Sequence, residues 1–210
     1  MLRVLIADDH AITREGLKRI LTDHPEAVHV GNAANAAQTL SMVRKNDWDL
    51  VLLDISLPDK SGLEVLKSIK KDRPALPVLV LSMYPVDQYA LRVLKAGGSG
   101  YLTKESAPEQ LLAAVRKVSE GGRFITPELA EHMARELAGG TPALPHESLS
   151  DREFEVLRLI ASGRTPTEIA GHLSLSVKTI STYRTRLLHK MGMRHNAELT
   201  HYAISNRLVF

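Results

Sequence analysis

Three acids, a hydroxyl and an ammonium stand at the ends of short apolar runs in the first half of this chain. Asp8-Asp9 follow Leu2–Ala7, Asp54 closes Leu50–Asp54, Ser82 closes Val78–Ser82, and Thr103-Lys104 follow the run 100–102. Carboxylates that converge repel one another unless a cation sits among them, and an all-oxygen site that retains waters suits Mg²⁺. With such a metal bound, one carboxylate can attack a phosphoryl group while Lys104 and Ser82 hold its oxygens. Taken singly, each residue has an ordinary reading. An Asp at a strand end often caps a helix, and a Lys is often surface charge. Convergence is what points to chemistry, and it needs an architecture that brings four run ends to one edge.

The apolar pattern supplies that architecture. Through about Arg123, short apolar runs (28–31 among them) alternate with stretches of helical spacing, such as Ile12, Leu17, Ile20, Leu21 and then Leu63, Leu66, Ile69. Five strands alternating with helices predict a doubly wound α/β domain with a parallel sheet. Val51-Leu52-Leu53 and Val78-Leu79-Val80-Leu81 lack polar alternation, as strands buried on both faces do. Ligands of open parallel sheets bind outside the carboxyl ends of the strands. All five polar residues fall there.

A second chemistry lies near the other end. Between Ser174 and Arg194 stand Lys178, Arg184, Arg186, Lys190 and Arg194 with no Asp or Glu, within a chain of formal net charge only +3. The segment that carries them reads as helical throughout. Ser150-Asp151-Arg152-Glu153 has the form of a capping box, and Phe154, Val156, Leu157, Ile160 and Ala161 mark an apolar face. Thr165-Pro166 with Glu168 opens a second helix over 166–173. Ser176 caps a third, Val177–Met191, and a fourth runs over about 196–207. In the third helix the spacing sends Val177, Ile180, Leu187, Leu188 and Met191 inward. Lys178, Ser181, Thr182, Thr185, Arg186 and His189 are left outward. Small hydroxyls and cations on one stripe can approach a groove floor and phosphates together. Between the two regions, 123–148 reads as a connector with one short helix at 127–138, punctuated by Gly139-Gly140-Thr141-Pro142 and Pro145.

The chain of 210 residues has no cysteine, which excludes disulfides and fits a reducing cytosol. Its apolar start meets Asp8 too soon for a secretory signal. No apolar run approaches the roughly 18 residues that span a bilayer. The expectation is a cytoplasmic protein without membrane contact.

Asp8-Asp9, Asp54, Ser82, Tyr101 and Lys104, with Pro58 and Gly62 after Asp54, resemble the active site of the receiver domains of bacterial response regulators. The resemblance covers residues 1–122 and implies a flavodoxin-like sheet in the order 2-1-3-4-5. It implies that Asp54 accepts a phosphoryl group from a sensor histidine kinase. Asp9 and Asp54 then bind Mg²⁺ with the main-chain carbonyl of Ser56, and Asp8 acts through water. Ser82 and Tyr101 become a switch pair, Ser82 moving to the phosphoryl group and Tyr101 turning inward, while Lys104 binds phosphoryl oxygen. His10 reads as a neighbour of the acids rather than a ligand. Many receivers carry Pro after the lysine with a cis bond; here Glu105 follows, and a non-proline cis bond costs about 3–4 kcal/mol.

An enzyme reading competes. Phosphatases of the haloacid dehalogenase type also use an Asp nucleophile, Mg²⁺, Ser/Thr and Lys, but place a second Asp two residues after the nucleophile. That position here is Ser56. Without that base, water is poorly activated and an acyl phosphate persists, which suits signalling rather than turnover.

Leu149-Ser150-Asp151-Arg152-Glu153 through Leu157, Ile169-Ala170 and Leu175-Ser176-Val177-Lys178-Thr179-Ile180 are similar to the LuxR-type helix-turn-helix domain, here residues 149–210. Joined to a receiver, this is the arrangement of the NarL/FixJ family, and the resemblance covers nearly the whole chain. It implies that Ser181, Thr182 and Thr185 read bases, while Lys178, Thr179, Tyr183 and Arg186 touch backbone or flanks. Family members often have Lys or His where this chain has Ser181 and Tyr183. The last helix, through Leu199, Ala203 and Ile204, is expected to pair two domains on DNA. The function implied is a phosphorylation-controlled transcriptional regulator, not an enzyme. Its partners are a kinase, double-stranded DNA, RNA polymerase and a second copy of itself. An adaptor that docks protein through the helical domain is the alternative.

Overall fold

The computed structural model describes residues 1–23, 28–137 and 144–209. Two compact units divide the chain, Met1–Ala134 and Arg135–Phe210.

In the first unit, β1 (Leu2–Ala7), β2 (Val28–Ala33), β3 (Leu50–Asp54), β4 (Val78–Ser82) and β5 (Gly100–Thr103) alternate with helices. These are α1 (Ala11–Thr22), α2 (Ala36–Lys45), α3 (Gly62–Asp72), α4 (Val86–Lys95) and α5 (Pro108–Ser119). The sheet is five-stranded in the order β2-β1-β3-β4-β5 with parallel pairs throughout. Strands β2 and β5 each run past the expected 28–31 and 100–102, because the parallel ladder continues through Ala7↔Ala33 and Ser82↔Thr103.

Every residue of β3 and β4 is buried. On one face Val4, Ile6, Leu50, Leu52, Leu79, Leu81 and Leu102 pack with Leu21 of α1 and Leu111, Ala114, Val115 and Val118 of α5. Strand pleating sends Leu5, Val51, Leu53, Val80 and Tyr101 to the opposite face, where they too are buried. Each such Leu or Ile withdrawn from water stabilises the fold by about 1.5–3 kcal/mol. This packing holds the strand ends in fixed register, and the register sets the site.

Past α5, Phe124 pairs with Gly100, its N–H donating to the Ser99 carbonyl at 2.9 Å, and its side chain packs on the same core. Helix α6 (Pro127–Leu137) follows, with Leu129 buried. The expected turn at Gly139-Gly140-Thr141-Pro142, and Ala138 at the end of the expected helix, lie outside the described residues.

The second unit holds α7 (Asp151–Ala161), α8 (Pro166–His172), α9 (Val177–Met191) and α10 (Asn196–Ser205). The capping box at Ser150 is formed, with Glu153 Oε2 accepting the Ser150 N–H at 2.8 Å. Thr165 and Glu168 make another, and Ser176 Oγ accepts the Thr179 N–H at 3.1 Å. A 3₁₀ turn at Pro145–Ser148, within the expected connector, carries a buried His146 whose Nδ1 lies 2.9 Å from the Tyr202 hydroxyl. Periodicity gave no sign of it.

Two expectations about faces are corrected. Val177 is 44% exposed rather than in the core: it opens α9, a turn ahead of Ile180, the first residue of that helix to be buried. Leu199 and Ala203 are fully buried within their own domain, where α10 packs on α7, so they cannot face a second copy. Ile204 is exposed.

Candidate functional site

Register places the acids. Ala7 pairs with Leu53, so the next residues, Asp8 and Asp54, leave the sheet side by side. Asp54 pairs with Leu81, Ser82 with Thr103, and the Lys104 N–H donates to the Ser82 carbonyl at 2.8 Å. The five residues singled out from the sequence therefore do meet at the C-terminal edge of the sheet.

A single ammonium bridges two of the acids: Lys104 Nζ lies 2.7 Å from Asp54 Oδ2 and 2.7 Å from Asp8 Oδ2. Both carboxylates are buried, at 2% and 1% exposure. Asp54 Oδ1 accepts the Ser56 N–H at 3.0 Å, and Asp8 Oδ1 accepts the His10 N–H at 2.8 Å. Burial pushes the Asp54 carboxyl above its ordinary range, with Asp8 adding to the rise, against the pull of Lys104 and the Ser56 N–H. For Lys104 burial opposes the charge, but bonds to Asp54 and Asp8 outweigh it and hold the ammonium above its usual value.

The donor set fits a hard divalent cation. Asp8, Asp9, His10 and Asp54 each offer an atom within 4.8 Å of the others. Among the described residues, the buried Asp8 Oδ2 is met only by the Lys104 ammonium, which it shares with Asp54. Three carboxylates face one lysine, and oxygen-rich sites of this kind suit Mg²⁺. His10 Nδ1 is 2.7 Å from Asp9 Oδ1, with its side chain largely in solvent. Glu105 follows Lys104 through a trans bond, since no peptide bond among the described residues is cis.

Ser82 and Tyr101 meet at a residue that sequence reasoning missed. The Tyr84 N–H donates to Ser82 Oγ at 3.1 Å, and the fully buried Tyr101 donates its hydroxyl to the Tyr84 carbonyl at 2.6 Å. Tyr84 also stacks on Tyr89 of α4, ring centroids 5.2 Å apart. The segment after β4 is thus tied to the pocket edge on one side and to the sheet core on the other. No periodicity marks Tyr84, because its bonds to Ser82 and Tyr101 are made by its own main-chain atoms.

In the second unit, α8 and α9 are joined by a turn in which Ser174 has φ +53° and the Leu175 N–H donates to the Ala170 carbonyl at 2.9 Å. Along α9, Lys178, Ser181, Thr182, Thr185 and Arg186 are exposed and Thr179 and Tyr183 half-buried. Ser181, Thr182 and Thr185 donate their hydroxyls to carbonyls one turn back, at 3.0, 3.1 and 3.0 Å. Outward they keep oxygen lone pairs and, for the threonines, methyl groups. Lys190 leaves the basic stripe to pair with the buried Glu153 at 2.7 Å, which fixes α9 on α7. That ion pair, with the Ser150 bonds, holds the Glu153 carboxyl below its ordinary value despite the opposing effect of burial.

Comparison with known proteins follows the same division. Residues 4–116 match the family described as "Response regulator receiver domain", and residues 147–203 match "Bacterial regulatory proteins, luxR family". The chain is 34% identical over 209 residues to Response regulator UvrY of Escherichia coli (strain K12), covering 99% of this chain and 96% of the relative. It is 34% identical over 215 residues to Oxygen regulatory protein NreC of Staphylococcus carnosus, covering 99% of each. The structure of RcsB from Salmonella enterica serovar Typhimurium, bound to promoter rprA in the presence of phosphomimetic BeF₃⁻, aligns with a TM-score of 0.69. Its identity is 31%, over 98% of this chain and 100% of that one. Among the described residues no helix is long and apolar enough to cross a membrane.

Proposed function

The chain belongs to the two-component response regulators that join a receiver domain to a LuxR-type DNA-binding domain, and we propose that Asp54 is the residue through which phosphorylation controls its hold on DNA. It is a transcriptional regulator, not an enzyme. The observation that carries the assignment is the Lys104 ammonium at 2.7 Å from both Asp54 and Asp8, one cation shared by two buried carboxylates with Asp9 beside them.

Asp9, Asp54 and the Ser56 main-chain carbonyl would hold Mg²⁺, with Asp8 acting through water. When bound, the ion supplies charge neutralisation for an anionic phosphodonor. The chain's own residues do the rest. An Asp54 oxygen attacks the phosphorus of a phosphohistidine on the kinase, the P–O bond forms, and the P–N bond breaks. Lys104 then turns from the carboxylates to a phosphoryl oxygen. Ser82 accepts from Tyr84 but commits its own proton to no described residue, so it can donate to another phosphoryl oxygen. That movement bears on Tyr84, and through it on Tyr101 and α4.

The division at 1–122, 123–148 and 149–210 belongs to this reading, as do a cytoplasmic setting, contact with RNA polymerase, and pairing on DNA through the Ile204 face of α10. In the RcsB structure promoter DNA and a phosphomimetic are present together, which supports the same linkage here.

The stripe on α9 tests the DNA reading. Lys178 and Arg186 anchor phosphate charge, which carries little sequence information and weakens steeply with salt. Lys178→Ala should lower affinity for specific and scrambled duplexes alike and flatten the salt dependence. Thr182→Ala removes a methyl and an acceptor from the groove-facing stripe, at a cost of about 1–3 kcal/mol in discrimination, and should spare scrambled DNA. Paired titrations at two salt concentrations check this. The same pattern of losses in both variants contradicts the division into anchoring and reading residues.

A further inference from the structure

We propose that Asp59 is a positioning residue of the phosphoacceptor pocket, fastening the loop between β3 and α3 to the N-terminus of α2. The inference rests on the reading of that loop as a provider of the Ser56 carbonyl to a divalent cation.

Asp59 Oδ1 accepts the Ala36 N–H at 2.8 Å and Oδ2 accepts the Ala37 N–H at 3.0 Å. These are the first two residues of α2, whose N–H groups have no partner within the helix. The helix already has its own cap: Asn35 accepts the Gln38 N–H at 2.8 Å. The side chain of Gln38 in turn accepts the Ala34 N–H at 2.8 Å. Asp59 thus adds a second acceptor from far along the chain. It is anionic, which the positive end of the helix dipole favours.

The use of that contact lies in the loop rather than in the helix. The loop leaves β3 at Asp54 and returns at Gly62, whose N–H closes it on the Ile55 carbonyl at 2.8 Å. Ser56 is fixed at its first turn by its N–H on Asp54 Oδ1 at 3.0 Å. Without Asp59, the stretch between Ser56 and the closure at Gly62 loses its two-point attachment to α2. The direction of the Ser56 carbonyl depends on that stretch. Groups that orient a metal ligand without touching the metal typically change affinity by 10–100-fold when removed.

The test uses the full chain and Mg²⁺ alone, with binding followed by calorimetry and by the rise in melting temperature on adding the ion. Asp59→Ala should weaken Mg²⁺ binding by about tenfold or more. Asp59→Asn, which keeps one acceptor, should fall between it and the unaltered protein. Asn35→Ala supplies the contrast: it removes the helix's own cap, so it should lower the melting temperature without metal and leave Mg²⁺ affinity unchanged. Unaltered Mg²⁺ affinity in Asp59→Ala overturns the proposal. So does an Asn35→Ala variant that loses as much affinity as Asp59→Ala, since helix stability alone would then explain the effect. If the unaltered protein binds no Mg²⁺, the pocket reading itself fails, a result distinct from either of these.

Discussion

Asp54→Asn should take up no phosphoryl group from a small phosphodonor with Mg²⁺, where the unaltered protein should take up one. The amide keeps the shape of the side chain but carries no charge and is a poor nucleophile. Lys104 retains Asp8 as a partner at 2.7 Å, so the pocket keeps its ammonium. Asp8 and Asp9 remain as carboxylates, which makes the variant a direct test of which acid reacts. Asp8 is tied by the His10 N–H and by Lys104, and Asp9 faces solvent beside His10. Asp54 is held in the same manner as Asp8, by the Ser56 N–H and by Lys104, so the variant decides between two similarly placed acids. In the metal-free pocket burial raises the Asp54 pKa, and only the ionised form attacks, so the cation that the pocket would hold also favours the reactive carboxylate. Chelating the metal should therefore stop labelling, as Asp54→Asn does. Intact-protein mass spectrometry reads both. Full labelling of Asp54→Asn moves the acceptor to another acid.

Gly62→Ala should be the most damaging small substitution in the first unit. A Cβ at Gly62 stands 2.1 Å from the Asp54 main-chain oxygen and 2.7 Å from Ile55 Cα. Both are backbone atoms at the end of the central strand and cannot turn away as a side chain does. Either α3 or the end of β3 must shift, and overpacking of this kind costs about 1–3 kcal/mol. With backbone on the far side the upper end applies, a fall in melting temperature of roughly 10 °C. Phosphorylation should fall with it, because the displaced atom belongs to Asp54. Trp48, the chain's single tryptophan, reports unfolding of this unit. Gly16→Ala is the contrast: a Cβ there meets nothing within 4 Å, so it should stabilise α1 by about 0.5–1 kcal/mol. Equal stability of the two variants contradicts the steric account.

The contrast between these residues shows what a sequence exposes. Strands β3 and β4 and helix α9 begin and end where the apolar runs and the Ser176 cap place them, since burial and capping act locally. The five pocket residues were legible for the same reason: each ends a run, and a parallel sheet brings such ends together. Asp59 and Tyr84 were not. Asp59 bonds far along the chain and Tyr84 bonds through its own main-chain atoms, and no periodicity records such bonds. Val177, Leu199 and Ala203 show another limit. Spacing identifies an apolar face but not what covers it, and α7 covers the face of α10 that was expected to meet a second copy.

Phosphorylation of Asp54 should tighten the grip of the LuxR-type domain on DNA. The direct measurement is titration of the full chain, with and without phosphodonor and Mg²⁺, against a duplex selected from a random pool by the phosphorylated protein. The unaltered protein should bind about tenfold more tightly when phosphorylated, within the usual range of coupling between two sites, and Asp54→Asn should show no change. Equal tightening in Asp54→Asn, or none in the unaltered protein once it is fully labelled, contradicts the account.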